Sequence, residues 1–420
     1  MVVSAPTSLS IRTKVRLPAS KSISNRLLVI QYLAGEPAEI VNLSEADDTI
    51  LLQKLLDIIQ ANSGSDGPVT IDCRNAGTVC RFLSALLSVT PGNWLITGSE
   101  RIKQRPLGAL VDALKQCGAD ISYMNKSGFP PLSVRGKKLH GGITLQVPGN
   151  ISSQFISALM LIAPALEGGL RIEITSKVVS EPYIQMTAHL MRECGADARY
   201  ESGVVEIGTL PYSLAGKELS AELDWSSAAF WYEIAALSND AEIFLPGLKL
   251  NGLQGDSIAA ALFRNFGIST TENFGGLTIV KEKRDFPGKI SMDFTSCPDL
   301  AQAVAVTCAG LNIPARLTGL SGLRIKETDR LTALAGELQK AGFKAEANNG
   351  SELILSGERI SPPAGNLQIE TYGDHRMAMA FAPLSLVHGI IRIKDHGVVT
   401  KSYPAFWSHM SAAGFVLSDR

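Results

Sequence analysis

Several short stretches of this chain put cations, hydroxyls and carboxylates where a helix would begin. In Pro18-Ala-Ser-Lys-Ser-Ile-Ser-Asn-Arg26, the residues Lys21, Ser22 and Arg26 open an apolar run. A helix N-terminus carries free backbone N–H groups and a partial positive charge, so added side-chain cations and hydroxyls there suit phosphate or carboxylate ligands. No GxxxxGKS or GxxxxGKT phrase precedes the segment, so it is not a P-loop. Asn75-Ala-Gly-Thr-Val-Cys-Arg81, Arg101-Ile-Lys-Gln-Arg105 and Ser152-Ser153-Gln154 repeat the theme, contributing Gly77, Arg105 and a serine pair. Taken singly, serines at a helix start are ordinary caps, and a basic turn is ordinarily solvated. Arg324-Ile-Lys-Glu-Thr-Asp-Arg330 and Gly373-Asp-His-Arg-Met-Ala-Met379 are harder to dismiss, and Asp299 and Lys401 add one more acid and base. A charge-dense run is usually a solvated face, but His375 and Arg376 head a Met/Ala-rich run that reads as buried helix, a poor place for unpaired charge.

The elements that must hold these residues recur. The apolar runs open at Ser22, Thr78, Ser152, Ser226, Pro298 and Asp374, with spacings of 56, 74, 74, 72 and 76 residues. Such a period marks one supersecondary unit used six times. A second phrase places an apolar residue four positions before a glycine, at Gly118, Gly195, Gly267, Gly342 and Gly414. Glycine there caps a helix, and the alternating residues that follow (Ala119 to Tyr123, Ala196 to Tyr200, Phe343 to Ala347) read as strands. Each unit reads helix, strand, helix, strands, which gives an α/β fold. Six units exceed one compact core, so the expectation is two domains of three, residues 20–222 and residues 1–19 with 223–420, and a ligand site in the cleft between them. A continuous solenoid is the alternative, but the period is long for the common helical repeats. The strand region Leu9 to Leu17 precedes the first unit and is expected to complete the last one.

Bulk properties exclude some functions. With 39 basic and 40 acidic side chains among 420 residues, no global field recruits nucleic acid or an anionic membrane. The apolar stretch Phe155 to Leu166 is interrupted by Ser157 and Pro164 and falls short of the roughly 20 residues of a membrane span. Met1 to Arg16 lacks the continuous apolar core of a secretory signal, and the six cysteines show neither disulfide-framework nor zinc spacing. A cytoplasmic protein with reduced, buried thiols is expected.

The order of the motifs resembles one family. P-x-S-K-S-x-S-x-R, N-A-G-T-x-x-R, R-x-x-x-R-P, the Ser-Ser-Gln triplet, R-x-K-E-(S/T)-D-R and D-H-R-M-A-M are similar to the successive signatures of enolpyruvylshikimate-phosphate synthases, and the match runs from Lys21 to Pro404. The resemblance implies two domains of three βαβαββ units in an inside-out α/β barrel that closes over its substrates. It implies addition of the 5-hydroxyl of shikimate 3-phosphate to C2 of phosphoenolpyruvate, a tetrahedral intermediate and loss of phosphate, with no metal or organic cofactor and, as expected state, a monomer. Carried over by motif, shikimate 3-phosphate is expected to meet Lys21, Ser22, Arg26, Ser152, Ser153, Gln154, Ser180, Asp299 and Lys326. Phosphoenolpyruvate is expected to meet Lys21, Gly77, Arg105, Gln154, Arg330, Arg376 and Lys401, and Gly77 matters there by being small. Acid and base work falls to Asp299, Glu327, Lys21 and Lys401, with His375 assisting. Glyphosate is expected to compete with phosphoenolpyruvate.

Three positions depart from the family pattern: Phe82 where many members have proline, Gly322 where some have asparagine, and Leu223 in place of the glycine before D-x-S-S-A, a segment that reads as structural. Two rival readings stand beside this one. The related enzyme that transfers enolpyruvate to UDP-N-acetylglucosamine typically uses a loop cysteine, which the Arg101 to Leu107 segment lacks. A non-catalytic binder of phosphorylated metabolites would explain the arginines but not Asp299 and Glu327, whose charge weakens anion binding.

Overall fold

The computed structural model describes residues 1–150, 152–273, 275–283, 286–360 and 367–419. The chain divides into two compact units, Lys21–Ala221 and Met1–Ser20 with Glu222–Arg420.

In the unit Lys21–Ala221, helices α1 (Lys21–Ala34), α2 (Gly77–Val89) and α3 (Ser153–Ile162) pack on one another. The helices α2 and α3 are buried on nearly every side, as expected of helices that are apolar almost all round, and α1 is buried from Ile23 to Ile30. The sheets lie outside them. One runs Pro68–Asp72, Gly92–Thr97, Leu132–Gly136, Asp120–Tyr123, its first pair parallel and the rest antiparallel. A second repeats that pattern with Thr144–Val147, Leu170–Ile174, Val204–Ile207 and Ala198–Glu201. The third is only the parallel pair Leu219–Ser220 and Ile40–Val41. The first unit therefore lacks the antiparallel hairpin of the others, which accounts for its 56-residue spacing against 72 to 76 elsewhere.

The other unit is built the same way around α4 (Trp225–Leu237), α5 (Ala301–Gly310) and α6 (His375–Phe381), which also pack together. Its three sheets each join a parallel pair to two antiparallel strands. The strand region Leu9 to Leu17 differs from expectation. Ser10–Lys14 runs parallel to Asp240–Pro246 and completes the fourth repeat, while Val2–Ser4 lies between Ile390–Ile393 and Val416–Ser418 and completes the sixth. Ser10–Lys14 is an edge strand and Val2–Ser4 an interior one, yet each has a single fully buried side chain, Ile11 and Val3, too little pattern to assign either strand to its sheet. The five capping glycines all take left-handed φ, from 74° at Gly267 to 97° at Gly414, a conformation that a Cβ disfavours. No described helix is long and apolar enough to cross a membrane, and all six cysteines are buried and unbridged.

Candidate active site

In the unit Met1–Ser20 with Glu222–Arg420, the sequence-selected residues converge on one guanidinium. Arg330 opens the helix Arg330–Lys340, is 2% exposed, and donates to Asp299 at 2.9 Å, Glu327 at 2.7 Å and Asp374 at 2.5 Å. Burial alone would weaken its hold on a proton, but Asp374, Glu327 and Asp299 together raise its pKa. Asp299 sits on the one-turn helix Pro298–Leu300 that leads into α5. Arg376 donates to its Oδ2 at 3.2 Å and to its backbone carbonyl at 3.0 Å, and Lys326 Nζ lies 3.7 Å from Oδ1. Burial pushes the Asp299 carboxyl up, yet Arg376, Lys326 and Arg330 outweigh it and hold the group well below the usual carboxylate range.

The remaining members attach to this core. Lys401, at the end of the turn His396–Lys401, approaches Glu327 at 3.5 Å. Asp374 caps α6 by accepting from the Arg376 N–H at 2.9 Å, and the next side chain, His375, is 2% exposed with Nδ1 3.7 Å from Asp374 Oδ1. Arg376 also donates to Ser226 Oγ at 3.1 Å. Asp299, Lys326, Glu327, Arg330, Arg376 and Lys401 thus form one linked cluster, with His375 beside it. Asp374 was not assigned from sequence, because an aspartate before a helix reads as a cap, which it also is.

The unit Lys21–Ala221 holds a second set. Lys21, the first residue of α1, pairs with Asp48 at 3.0 Å. Asp48 was likewise missed; it lies in the first turn of the helix Asp47–Asn62, where acidic residues are commonplace. Gly77 starts α2, and a Cβ there would stand 2.4 Å from Nη1 of Arg105, so only glycine lets that guanidinium lie against the helix start. Arg105 is 4% exposed. Gln154 accepts from Arg81 at 2.8 Å and donates to Thr78 at 3.0 Å, which ties the first turns of α2 to α3. Ser152 caps α3 by accepting from the Gln154 N–H at 3.3 Å, and Ser153 is buried beside it. Ser180, at φ 58°, holds the left-handed turn before the helix Glu181–Glu193, a conformation that costs a non-glycine residue on the order of 1 kcal/mol.

Ser22 and Arg26 occupy successive turns of α1. Ser22 is half-buried, and its carbonyl accepts from Arg26 Nη1 at 2.8 Å. Arg26 is 1% exposed; it donates to Thr187 at 2.7 Å and to Ser157 at 3.0 Å, and lies over the rings of Phe82 and Tyr183. Burial lowers its pKa to about 10. Phe82, the departure from the family's proline, is the platform under this arginine at 5.4 Å.

A family model described as EPSP synthase (3-phosphoshikimate 1-carboxyvinyltransferase) matches residues 6–410. A 3-phosphoshikimate 1-carboxyvinyltransferase from Bacteroides fragilis is 44% identical over 99% of this chain and 98% of its own. One from a Sulfurovum species is 34% identical over 94% and 95% respectively. An EPSP synthase structure from Acinetobacter baumannii shares the fold at a TM-score of 0.76, with 23% identity and full coverage of both chains. The motif order, the repeated unit and these full-length matches place the chain in the EPSP synthase family.

Proposed function

We infer that this chain is a 3-phosphoshikimate 1-carboxyvinyltransferase, which transfers the enolpyruvyl group of phosphoenolpyruvate to the 5-hydroxyl of shikimate 3-phosphate and releases inorganic phosphate. Family membership supports the reaction, and one observation carries the chemistry: two carboxylates, Asp299 and Glu327, are held against Arg330, Arg376, Lys326 and Lys401. A plain anion-binding site would gain nothing from those carboxylates.

The substrate 5-hydroxyl oxygen bonds to C2 of phosphoenolpyruvate while its proton passes to a base and C3 gains a proton, giving a tetrahedral adduct. Loss of a C3 proton and cleavage of the C2–O bond to phosphate then restore the double bond. Asp299 is the proposed base, with Glu327, Lys401 and Lys21 as donors and His375 assisting. Arg105, Arg330, Arg376, Lys21, Lys401 and Gln154 are assigned to phosphoenolpyruvate beside Gly77, since planar guanidinium groups take carboxylate and phosphate at two points. Lys21, Ser22, Arg26, Ser152, Ser153, Gln154 and Ser180 are assigned to the carboxylate and phosphate of shikimate 3-phosphate, so the unit Lys21–Ala221 supplies most of that contact. Asp299 and Lys326 are assigned to its ring hydroxyls. A monomer in the cytoplasm completes the reading.

Phosphate release from phosphoenolpyruvate, followed with shikimate 3-phosphate, UDP-N-acetylglucosamine or no acceptor, tests it. Release with shikimate 3-phosphate alone is expected. Release only with the nucleotide sugar, or none with any acceptor, overturns it.

A further inference from the structure

A further carboxylate, beyond Asp299, Glu327 and Asp374, lies behind the Asp299 cluster, and neither its sequence context nor the proposed reaction uses it. Asp256 stands on the turn Gly255–Ile258, where an acid before a short helix reads as an end cap. Its side chain is not spent that way. It is 4% exposed and accepts from Ser226 Oγ at 2.5 Å, and Ser226 Oγ in turn accepts from Arg376 Nη2 at 3.1 Å. The same Arg376 nitrogen donates to Asp299 Oδ2 at 3.2 Å. Asp256, Ser226, Arg376 and Asp299 therefore form a continuous chain of hydrogen bonds inside one unit.

Rigid attachments set the start of this chain. Gln254 accepts from the Trp225 N–H at 3.0 Å and donates to the Leu223 carbonyl at 2.7 Å, while Glu222 accepts from the Leu253 N–H. The segment carrying Asp256 is thus stitched to the first residues of α4, where Ser226 sits.

A serine hydroxyl has one proton and rotates to suit its neighbours. With its proton committed to Asp256, Ser226 can meet Arg376 only with a lone pair. Without Asp256, the hydroxyl is released to turn its proton elsewhere and stops being a dependable acceptor for the guanidinium. Placing a buried carboxylate close to two others, Asp299 and Asp224, is unfavourable, so a purely stabilising role is a poor account of it.

We propose that Asp256 is a positioning residue for phosphoenolpyruvate: acting through Ser226, it fixes the Arg376 guanidinium in the orientation that receives the substrate anion. The D-x-S-S-A segment then has a functional member, Ser226. The proposal rests on the assignment of Arg376 to phosphoenolpyruvate made above.

Steady-state kinetics of the full chain, with each substrate varied in turn, test it. Wild-type release of phosphate with shikimate 3-phosphate checks the underlying reading separately. Asp256→Ala is expected to raise KM for phosphoenolpyruvate about tenfold and KM for shikimate 3-phosphate less than about twofold, the size expected for one lost hydrogen bond to a charged group. Asp256→Asn keeps an acceptor for Ser226 and is expected within about threefold of wild type. Ser226→Ala is expected to match Asp256→Ala, and the double variant to be no worse than either alone, because the two act in series. If Asp256→Ala does not fold, Ser226→Ala and Asp256→Asn still decide the matter, since Ser226 is half-buried and its loss leaves no large cavity. Equal increases in both KM values, multiplying effects in the double variant, or an unchanged KM in Ser226→Ala overturn the proposal.

Discussion

Arg330 Nη1 donates to Asp299 Oδ1 across 2.9 Å, so the carboxylate proposed as base rests against a guanidinium that is itself 2% exposed. The same guanidinium is assigned to phosphoenolpyruvate. An anionic substrate that draws on Arg330 and Arg376 competes with Asp299 for them, and weaker pairing raises the proton affinity of Asp299 toward that of an effective base.

Asp299→Ala and Glu327→Ala should each lower kcat by orders of magnitude while both substrates still bind. Isothermal titration with shikimate 3-phosphate separates the two effects. Near-normal turnover in either variant removes that residue from proton transfer. The pH behaviour of Asp299 has a defined sign. Its folded pKa lies below the unfolded value, so the stability it contributes is complete above about pH 4 and is lost as pH falls further. Asp299→Asn should therefore unfold with a weaker pH dependence than wild type below about pH 4, read by denaturant titration at two acidic pH values.

Gly77→Ala should leave the fold intact and move Arg105. The added methyl would meet the end of a flexible side chain, Nη1 at 2.4 Å and Cζ at 2.6 Å, so the guanidinium swings away at little cost to stability. Displacement of a substrate-gripping group by about 1 Å costs up to about 100-fold in efficiency. The expected result is a KM for phosphoenolpyruvate raised at least about tenfold, weaker inhibition by glyphosate, and an unchanged melting temperature. An unchanged KM means that Arg105 does not grip phosphoenolpyruvate.

Much of this was legible from the chain, and the omissions share one cause. The repeat announces itself because each unit must open its core helix with polar residues and close a second helix with a glycine at positive φ, as Gly118 and Gly342 do. Residues such as Arg330 and Arg376 stand out because charge beside an apolar helix needs a reason. Asp48, Asp374 and Asp256 do not stand out, since an aspartate at a helix start is ordinary. Their significance comes from cations or hydroxyls met through the fold, such as Arg330 to Asp374, 44 residues apart. The strand Ser10–Lys14 belongs to the fourth repeat and not the last, and Val2–Ser4 carries no signal of its place, on similar grounds. Strands of three and five residues with one buried side chain each carry no record of their neighbours.

Phe82→Ala should cost about 3 kcal/mol of stability in denaturant unfolding, the usual range for deleting a buried ring. The ring is 1% exposed and lies 5.4 Å from Arg26, so its loss leaves a cavity and removes one face of a buried cation. Because Arg26 is assigned to the shikimate carboxylate, KM for shikimate 3-phosphate should rise while KM for phosphoenolpyruvate holds. A loss under about 1 kcal/mol would mean that the ring is replaceable and that the departure from proline has no structural weight.

Asp256 gives the opposite pH sign from Asp299. Burial raises its pKa from 3.8 to about 6, reinforced by Asp299 and Asp224 and opposed by Arg376 and the Ser226 hydrogen bond. Cys297 also faces this group. The folded protein then binds a proton at Asp256 that the unfolded chain has already released between about pH 4 and pH 6. Stability falls as pH rises through that window, by at most about 3 kcal/mol in total. Asp256→Asn cannot titrate, so its melting temperature relative to wild type should rise between pH 4.5 and pH 7, whatever the offset at either end. A difference that stays flat across that range would show that Asp256 is charged throughout, and that burial beside Asp299 is fully offset by Arg376 and Ser226.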